Sequence, residues 1–160
     1  MHWAEKIAEE IINKNPNKEE YVCSSGISPS GSVHIGNFRD IATSFYVVKA
    51  LQKMGKKARL LFSWDEFDRL RKVPSNIAKI TDNFEQYLGM PYSMIPDPHG
   101  VCNSYAEYNE NEFEKSLTEL DIHPDFRYQT KEYRSLRYAD KVVYSLKRRK
   151  EIYDILMSYK

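Results

Sequence analysis

The sequence predicts an α/β fold, a parallel sheet with flanking helices, and three observations predict it. Short runs rich in β-branched and aromatic residues recur near 20–25, 58–64 and 126–130. Stretches of helical period separate them, as strand–helix–strand crossovers between parallel strands require. The chain has 160 residues, 41% of them hydrophobic and 29% charged, with a formal net charge of +1. That composition fits one globular domain with a real core and argues against disordered, fibrous or membrane classes.

Other classes drop out on composition. A near-neutral charge carries no nucleic-acid signal by itself, and the one dense basic run, Lys147-Arg148-Arg149-Lys150, reads as a solvated helical face. No apolar run reaches the roughly 20 residues that span a bilayer, and the N-terminus lacks an apolar signal core. The expectation is a cytoplasmic protein without membrane contact, with Cys23 and Cys102 as reduced thiols.

In chain order, Trp3, Ala4, Ile7, Ala8, Ile11 and Ile12 mark a helix over 2–14 that Asn15-Pro16 ends. Tyr21-Val22-Cys23 reads as a first strand, apolar enough to be buried on both faces. A loop rich in Gly, Ser and Pro follows. From Val33 to Met54 apolar residues keep helical period, with Gly55 placed as the C-terminal cap. Ala58 to Trp64 is the second strand. Residues 77–88 read as a shorter helix and 89–100 as loop. Ser104 caps a third long helix with Tyr105, Phe113, Leu117 and Leu120 on its buried stripe, and Phe126 to Thr130 is the third strand. The rest, 132–159, reads as helical with an irregularity near the basic run.

The stretch Gly26-Ile27-Ser28-Pro29-Ser30-Gly31, then His34-Ile35-Gly36-Asn37, is where a strand passes through a loop into a helix. A helix start leaves N–H groups unpaired and carries partial positive charge, so the geometry favours phosphate. His34 and Asn37 are three apart and can donate to one ligand, while Gly36 lets a flat or bulky group approach the backbone. Asp65-Glu66-Phe67-Asp68-Arg69 follows the second strand at the C-terminal edge of the sheet, where open α/β folds bind ligands.

These residues carry a resemblance. The loop with His-Ile-Gly-Asn is similar to the HIGH signature as it occurs in class I lysyl-tRNA synthetases. Ser63-Trp64-Asp65-Glu66-Phe67-Asp68-Arg69-Leu70-Arg71-Lys72-Val73-Pro74, Pro96-Asp97-Pro98-His99-Gly100, Ser104-Tyr105-Ala106 and Gln129-Thr130 extend it in family order over essentially the whole chain. The resemblance implies the first half of a Rossmann-like catalytic domain spanning 1–160, with no anticodon-binding domain. It implies ATP, with Mg2+ held by the nucleotide rather than by the protein, and lysine and tRNA(Lys) as partners. It implies ATP contacts at Pro29, Gly31, His34, Gly36 and Asn37, with His34 and Asn37 catalytic, and lysine recognition at Gly26 and Ser28. Asp65 and Asp68 are candidates for the lysine ammonium group, which needs a carboxylate partner, and Tyr105 for a further contact.

Each residue also has a plainer reading. His34 could cap its own helix, Asp65 and Asp68 could pair with Arg69, Arg71 or Lys72, and Tyr105 could be core. His99 and Cys102 amount to half a zinc site at most, which favours ordinary loop chemistry. Lys53-Met54-Gly55-Lys56-Lys57 superficially resembles the family's second signature, KMSKS, but its place at a helix end suits the dipole and cap. Departures from the family pattern are Ser28, where threonine is common, and Leu136, where glycine is expected. A half sheet would leave the first strand with an open edge, and association with a second copy or a C-terminal half is expected there. The alternatives are a non-catalytic binder of ATP or lysine, and a small HxGH nucleotidylyltransferase; the latter predicts an Ile-Ser-Ser-Thr-like motif near the C-terminus, which the sequence lacks.

Overall fold

The computed structural model describes residues 2–159, in two compact units, Met1–Gln129 and Thr130–Lys160. In the first unit α1 (Trp3–Lys14) precedes β1 (Tyr21–Ile27), α2 (Ile35–Lys53) and β2 (Ala58–Trp64). Then come α3 (Tyr105–Glu119) and β3 (Asp125–Tyr128). The strands form a parallel sheet in the order β1-β2-β3, registered from Tyr21 opposite Ala58 to Ile27 opposite Trp64 and from Leu61 opposite Asp125 to Trp64 opposite Tyr128. The predicted α/β class holds.

Local chemistry explains the boundaries. His2 caps α1 in a reciprocal pair with Glu5. At the far end of α2, Gly55 takes φ +74° and lets the amide of Lys56 reach the Leu51 carbonyl at 3.0 Å. Lys53 there pairs with Glu5 at 2.7 Å, so the lysine-rich Lys53–Lys57 segment closes a helix. On β2 alternate residues Ala58, Leu60, Phe62 and Trp64 are buried. Phe113 of α3 packs against Phe62 and Trp64 with ring centroids 5.7 Å from each, and large side chains buried this way contribute roughly 1.5–3 kcal/mol apiece.

Several expectations change. The first strand runs to Ile27, so Gly26 lies within it rather than in the loop. It is not buried on both faces: Val22 and Ser24 are exposed, and among the described residues β1 pairs only with β2. The helix expected over 77–88 is two 3-10 turns, Ile77–Lys79 and Phe84–Tyr87, separated at Asn83, whose φ of +62° no helix continues through. Ile77 and Phe84 instead join Leu70, Tyr92, Ile95 and Tyr105 in a second apolar cluster. β3 ends at Tyr128 because the Glu66 carboxylate accepts the Gln129 amide at 2.9 Å, which starts α4 (Gln129–Arg134).

Within the second unit α5 (Ala139–Lys147) and α6 (Arg149–Met157) follow, breaking at Arg148 inside the basic run. Leu136 sits at φ +60°, a left-handed position that explains why glycine suits it. No described helix is long and apolar enough to cross a membrane.

Candidate functional site

β1 and β2 end side by side, and the amide of Asp65 continues their pairing by donating to the Ile27 carbonyl at 3.0 Å. The two segments that leave the sheet here, 28–34 and 65–69, are therefore adjacent at the edge where parallel sheets bind ligands. Gly26 makes that edge narrow. A Cβ on it would stand 2.6 Å from the Ser63 carbonyl oxygen, so only glycine lets the strands approach this closely.

The loop is held from below. Tyr105, expected at the ligand, is 1% exposed and donates its hydroxyl to the Ser30 carbonyl at 2.9 Å; burial pushes its pKa up to about 12. Asn109 donates its side-chain amide to the Pro29 carbonyl at 3.4 Å and to the Tyr105 carbonyl at 2.9 Å. Pro29 is fully buried. The Pro29 and Ser30 carbonyls thus face α3, whereas the amides of Ser30, Gly31, Ser32 and Val33 make no hydrogen bond among the described residues. Unpaired amides leading into a helix N-terminus are the kind of group that favours an anion.

His34 is the exposed N-cap of α2. Its Nδ1 accepts the Gly36 amide at 3.1 Å, which fixes the neutral ring in the tautomer with the proton on Nε2, an outward donor. Gly36 permits this fold-back, since a Cβ there would lie 2.9 Å from the ring carbon Cε1 and 3.0 Å from Nδ1. The plain capping reading and the ligand reading are thus compatible. Asn37, half-buried in the first turn, makes no side-chain hydrogen bond among the described residues.

Across the edge, Ser28 donates its hydroxyl to the Asp68 carboxylate at 3.0 Å. Ser28, Ser30, Asp68, Arg71, Lys72, Pro74 and Tyr92 line a cavity of about 380 Å3. Among the described residues Asp68 forms no ion pair with Arg69, Arg71 or Lys72, although the last two share its cavity. Asp65 is half-buried, and burial together with Asp68 and Glu66 raises its carboxyl above the usual range, against a hydrogen bond from Ser63.

Four acidic residues hold structural roles that the sequence reading did not assign, though it placed Glu66 and Asp97 in its motifs. Glu66 is buried and receives the Gln129 amide. Glu114 accepts both Trp64 Nε1–H at 2.9 Å and the Tyr128 hydroxyl at 2.8 Å. Glu110 is 7% exposed, and its Oε1 has no partner. Asp97 receives the amides of His99, Val101 and Cys102 at 2.9–3.0 Å, which outweigh its burial and hold its carboxyl below the usual range. The available signal was periodicity: Asn109 and Glu110 occupy the same stripe of α3 as Ala106, Phe113 and Leu117.

His99 and Cys102 go to other partners. The His99 ring stacks on Tyr108 at 4.2 Å, and the Cys102 sulfur receives the Asn111 amide at 3.5 Å. Among the described residues no group of three or more His, Cys, Asp or Glu side chains could hold a metal ion.

Comparison with known proteins gives the family. The family model described as tRNA synthetases class I (K) matches residues 1–160. The chain is 42% identical over all 160 residues to the lysine–tRNA ligase of Treponema pallidum, and 41% identical over 160 residues to those of Pyrococcus horikoshii and Methanococcus maripaludis. It spans about 30% of the length of the first two relatives and 29% of the third. The chain belongs to the class I (K) tRNA synthetase family.

Proposed function

We propose that the chain binds ATP and lysine at the C-terminal edge of its sheet and contributes this half of a lysyl-adenylate site, for transfer of lysine to tRNA(Lys). The observation that carries the reading is the division of the edge into two chemistries. On one side lie unpaired loop amides, the N-terminus of α2 and the His34 Nε2 donor; on the other lie Asp65 and Asp68 beside Ser28. A triphosphate suits the first side and an ammonium group the second.

In adenylate formation a lysine carboxylate oxygen attacks the α-phosphorus, the bond to the bridging oxygen breaks, and pyrophosphate leaves with the electron pair. The protein's part is to hold the two reactants in line and to meet the charge that builds on the phosphate oxygens. His34 and Asn37 donate to those oxygens, the loop amides at Gly31 and its neighbours add to them, Pro29 keeps the loop in place, and the adenosine lies over Gly36. Gly26 and Ser28 border the lysine, whose ammonium group meets Asp68 and Asp65. Tyr105 serves this site from beneath the loop. Mg2+ would arrive on the nucleotide. The open edge of β1 is the surface proposed to take a second copy or a C-terminal half.

Calorimetric titration with ATP and with lysine, run beside lysine-dependent ATP–pyrophosphate exchange, tests the reading. Saturable binding of both, with ATP binding lost in Asn37→Ala and lysine binding lost in Asp68→Ala, supports it. Folded protein that binds neither overturns it. Binding without exchange marks a non-catalytic binder, and exchange driven by another acceptor marks a nucleotidylyltransferase.

A further inference from the structure

Glu110 has no role in the site described above, yet it is placed where a carboxylate is costly. It lies on the core-facing stripe of α3 with Oε1 buried and unpartnered. The charged groups that bear on it are carboxylates: Glu66 from the segment after β2, and Glu114 and Glu107 from α3 itself. Tyr128 of β3 faces the same cluster, its hydroxyl committed to Glu114. Glu114 accepts from Trp64 Nε1–H and the Tyr128 hydroxyl, and Glu66 accepts the Gln129 amide.

The N-terminal stretch of α3 that carries Glu110 also carries the two side chains that hold the loop. Asn109 is its chain neighbour and Tyr105 lies five residues before it; they bind the carbonyls of Pro29 and Ser30. We propose that Glu110 is a positioning residue that must be protonated: neutral, it lets α3 seat against the sheet and hold the loop, and ionised, it pushes α3 outward and loosens the loop's two anchors. The site is thereby sensitive to pH through a group that touches no ligand. This rests on the proposed ATP site only for its functional consequence, not for the switch itself.

Burial, then Glu66, Glu114 and Glu107, push the Glu110 carboxyl up to about 8. A carboxyl whose pKa is higher folded than unfolded binds its proton more tightly in the folded chain. Its favourable contribution is therefore complete at low pH and is lost as pH rises from the ordinary carboxyl range through about 8.

The experiment follows the backbone amide signals of Ser30, Gly31 and Ser32 by NMR from pH 5 to 9.5 in the parent and in Glu110→Gln, with thermal unfolding over the same range. The parent should show a loop titration with a midpoint near 8 and a melting temperature that falls through it. Glu110→Gln, which keeps shape and neutrality, should lack that titration and melt higher than the parent at pH 9. Identical loop profiles in the two proteins would overturn the proposal. Carboxyl 13C titration of Glu110 in the parent decides the matter even if the variant fails to fold: a midpoint in the ordinary range of 4 to 5 sinks it. ATP titrations at each pH supply the consequence. Absence of ATP binding at every pH defeats the site reading and leaves the loop titration to judge Glu110.

Discussion

Two glycines 10 residues apart should respond to the same substitution in opposite ways. In Gly26→Ala the new Cβ meets the Ser63 carbonyl oxygen at 2.6 Å, well inside the roughly 3.3 Å of a close carbon–oxygen contact. That oxygen belongs to the paired strand and cannot move without opening the β1–β2 ladder between Ser25–Phe62 and Ile27–Trp64. Overpacking of this kind costs about 1–3 kcal/mol, against a gain of about 0.4–1 kcal/mol from a stiffer unfolded chain. The net loss of about 1–2 kcal/mol should lower the melting temperature by roughly 3–8 °C in a chain of this size. In Gly36→Ala the obstructing atoms are those of the His34 ring at 2.9 and 3.0 Å, and a side chain can swing away. Losing that cap costs about 0.5–2 kcal/mol while alanine in the first turn of α2 returns about 1 kcal/mol. Stability should barely change, but Nε2 loses its aim, and a hydrogen bond to a charged phosphate is worth about 1.5–3 kcal/mol, or about 10- to 100-fold in ATP affinity. Urea unfolding followed by circular dichroism, paired with ATP titration, reads both. A Gly26→Ala protein with the parent's midpoint and slope refutes the strand argument. A Gly36→Ala protein that binds ATP like the parent refutes the tautomer argument.

Further outcomes follow from buried polar groups and from one strained turn. Glu114→Ala leaves Trp64 Nε1–H and the Tyr128 hydroxyl without their acceptor, a loss of about 2–5 kcal/mol in urea unfolding, whereas Glu114→Gln keeps an acceptor oxygen and loses less. Asp97, with its carboxyl held below the ordinary value, contributes stability that is present at neutral pH and lost as pH falls through its folded pKa; acid titration of the fold should show this loss in the parent and a flatter profile in Asp97→Asn, which starts about 1–3 kcal/mol lower at pH 7. Leu136 is exposed and left-handed, so Leu136→Gly should raise amide protection at the start of α5 by removing strain of about 1 kcal/mol.

The parts legible in the sequence were those set by period and cap. The long amphipathic run placed the start of α2 to within two residues, Gly55 marked its end, and the short run 58–64 after that crossover helix marked β2. The segment over 77–88 was not legible, because its apolar spacing suits both a helix and a pair of 3-10 turns. What separates them is Asn83 at φ +62° and a second apolar cluster assembled from distant residues. The capping role of Glu66 was not legible for a related reason: it joins positions 63 residues apart. For the site, the passage from strand through loop to the His34-capped helix was legible, but a sequence does not say which way a loop turns its carbonyls. The Tyr105–Ser30 and Asn109–Pro29 hydrogen bonds are contacts across 75 and 80 residues.

Those two hydrogen bonds have an energetic logic. A loop that binds anions must turn its amides outward, and then its carbonyls turn inward, where an unpaired carbonyl is costly. Tyr105 and Asn109 are the donors that satisfy them, and both must be buried to reach. Burying donors on a helix stripe brings the next polar position, Glu110, into the interior beside Glu66 and Glu114. On the proposed reading, the orphaned carboxyl of α3 is thus a consequence of turning the loop's carbonyls toward that helix. Replacing Asn109 by leucine should separate the two effects. The apolar side chain fits the stripe and leaves Glu110 in place, but the Pro29 carbonyl loses its donor. ATP affinity should therefore drop while the pH dependence of unfolding stays that of the parent. A variant that loses the pH dependence along with ATP binding would show that loop and carboxyl cannot be separated, and that the loop's geometry depends on the packing of α3 as a whole rather than on its two hydrogen bonds.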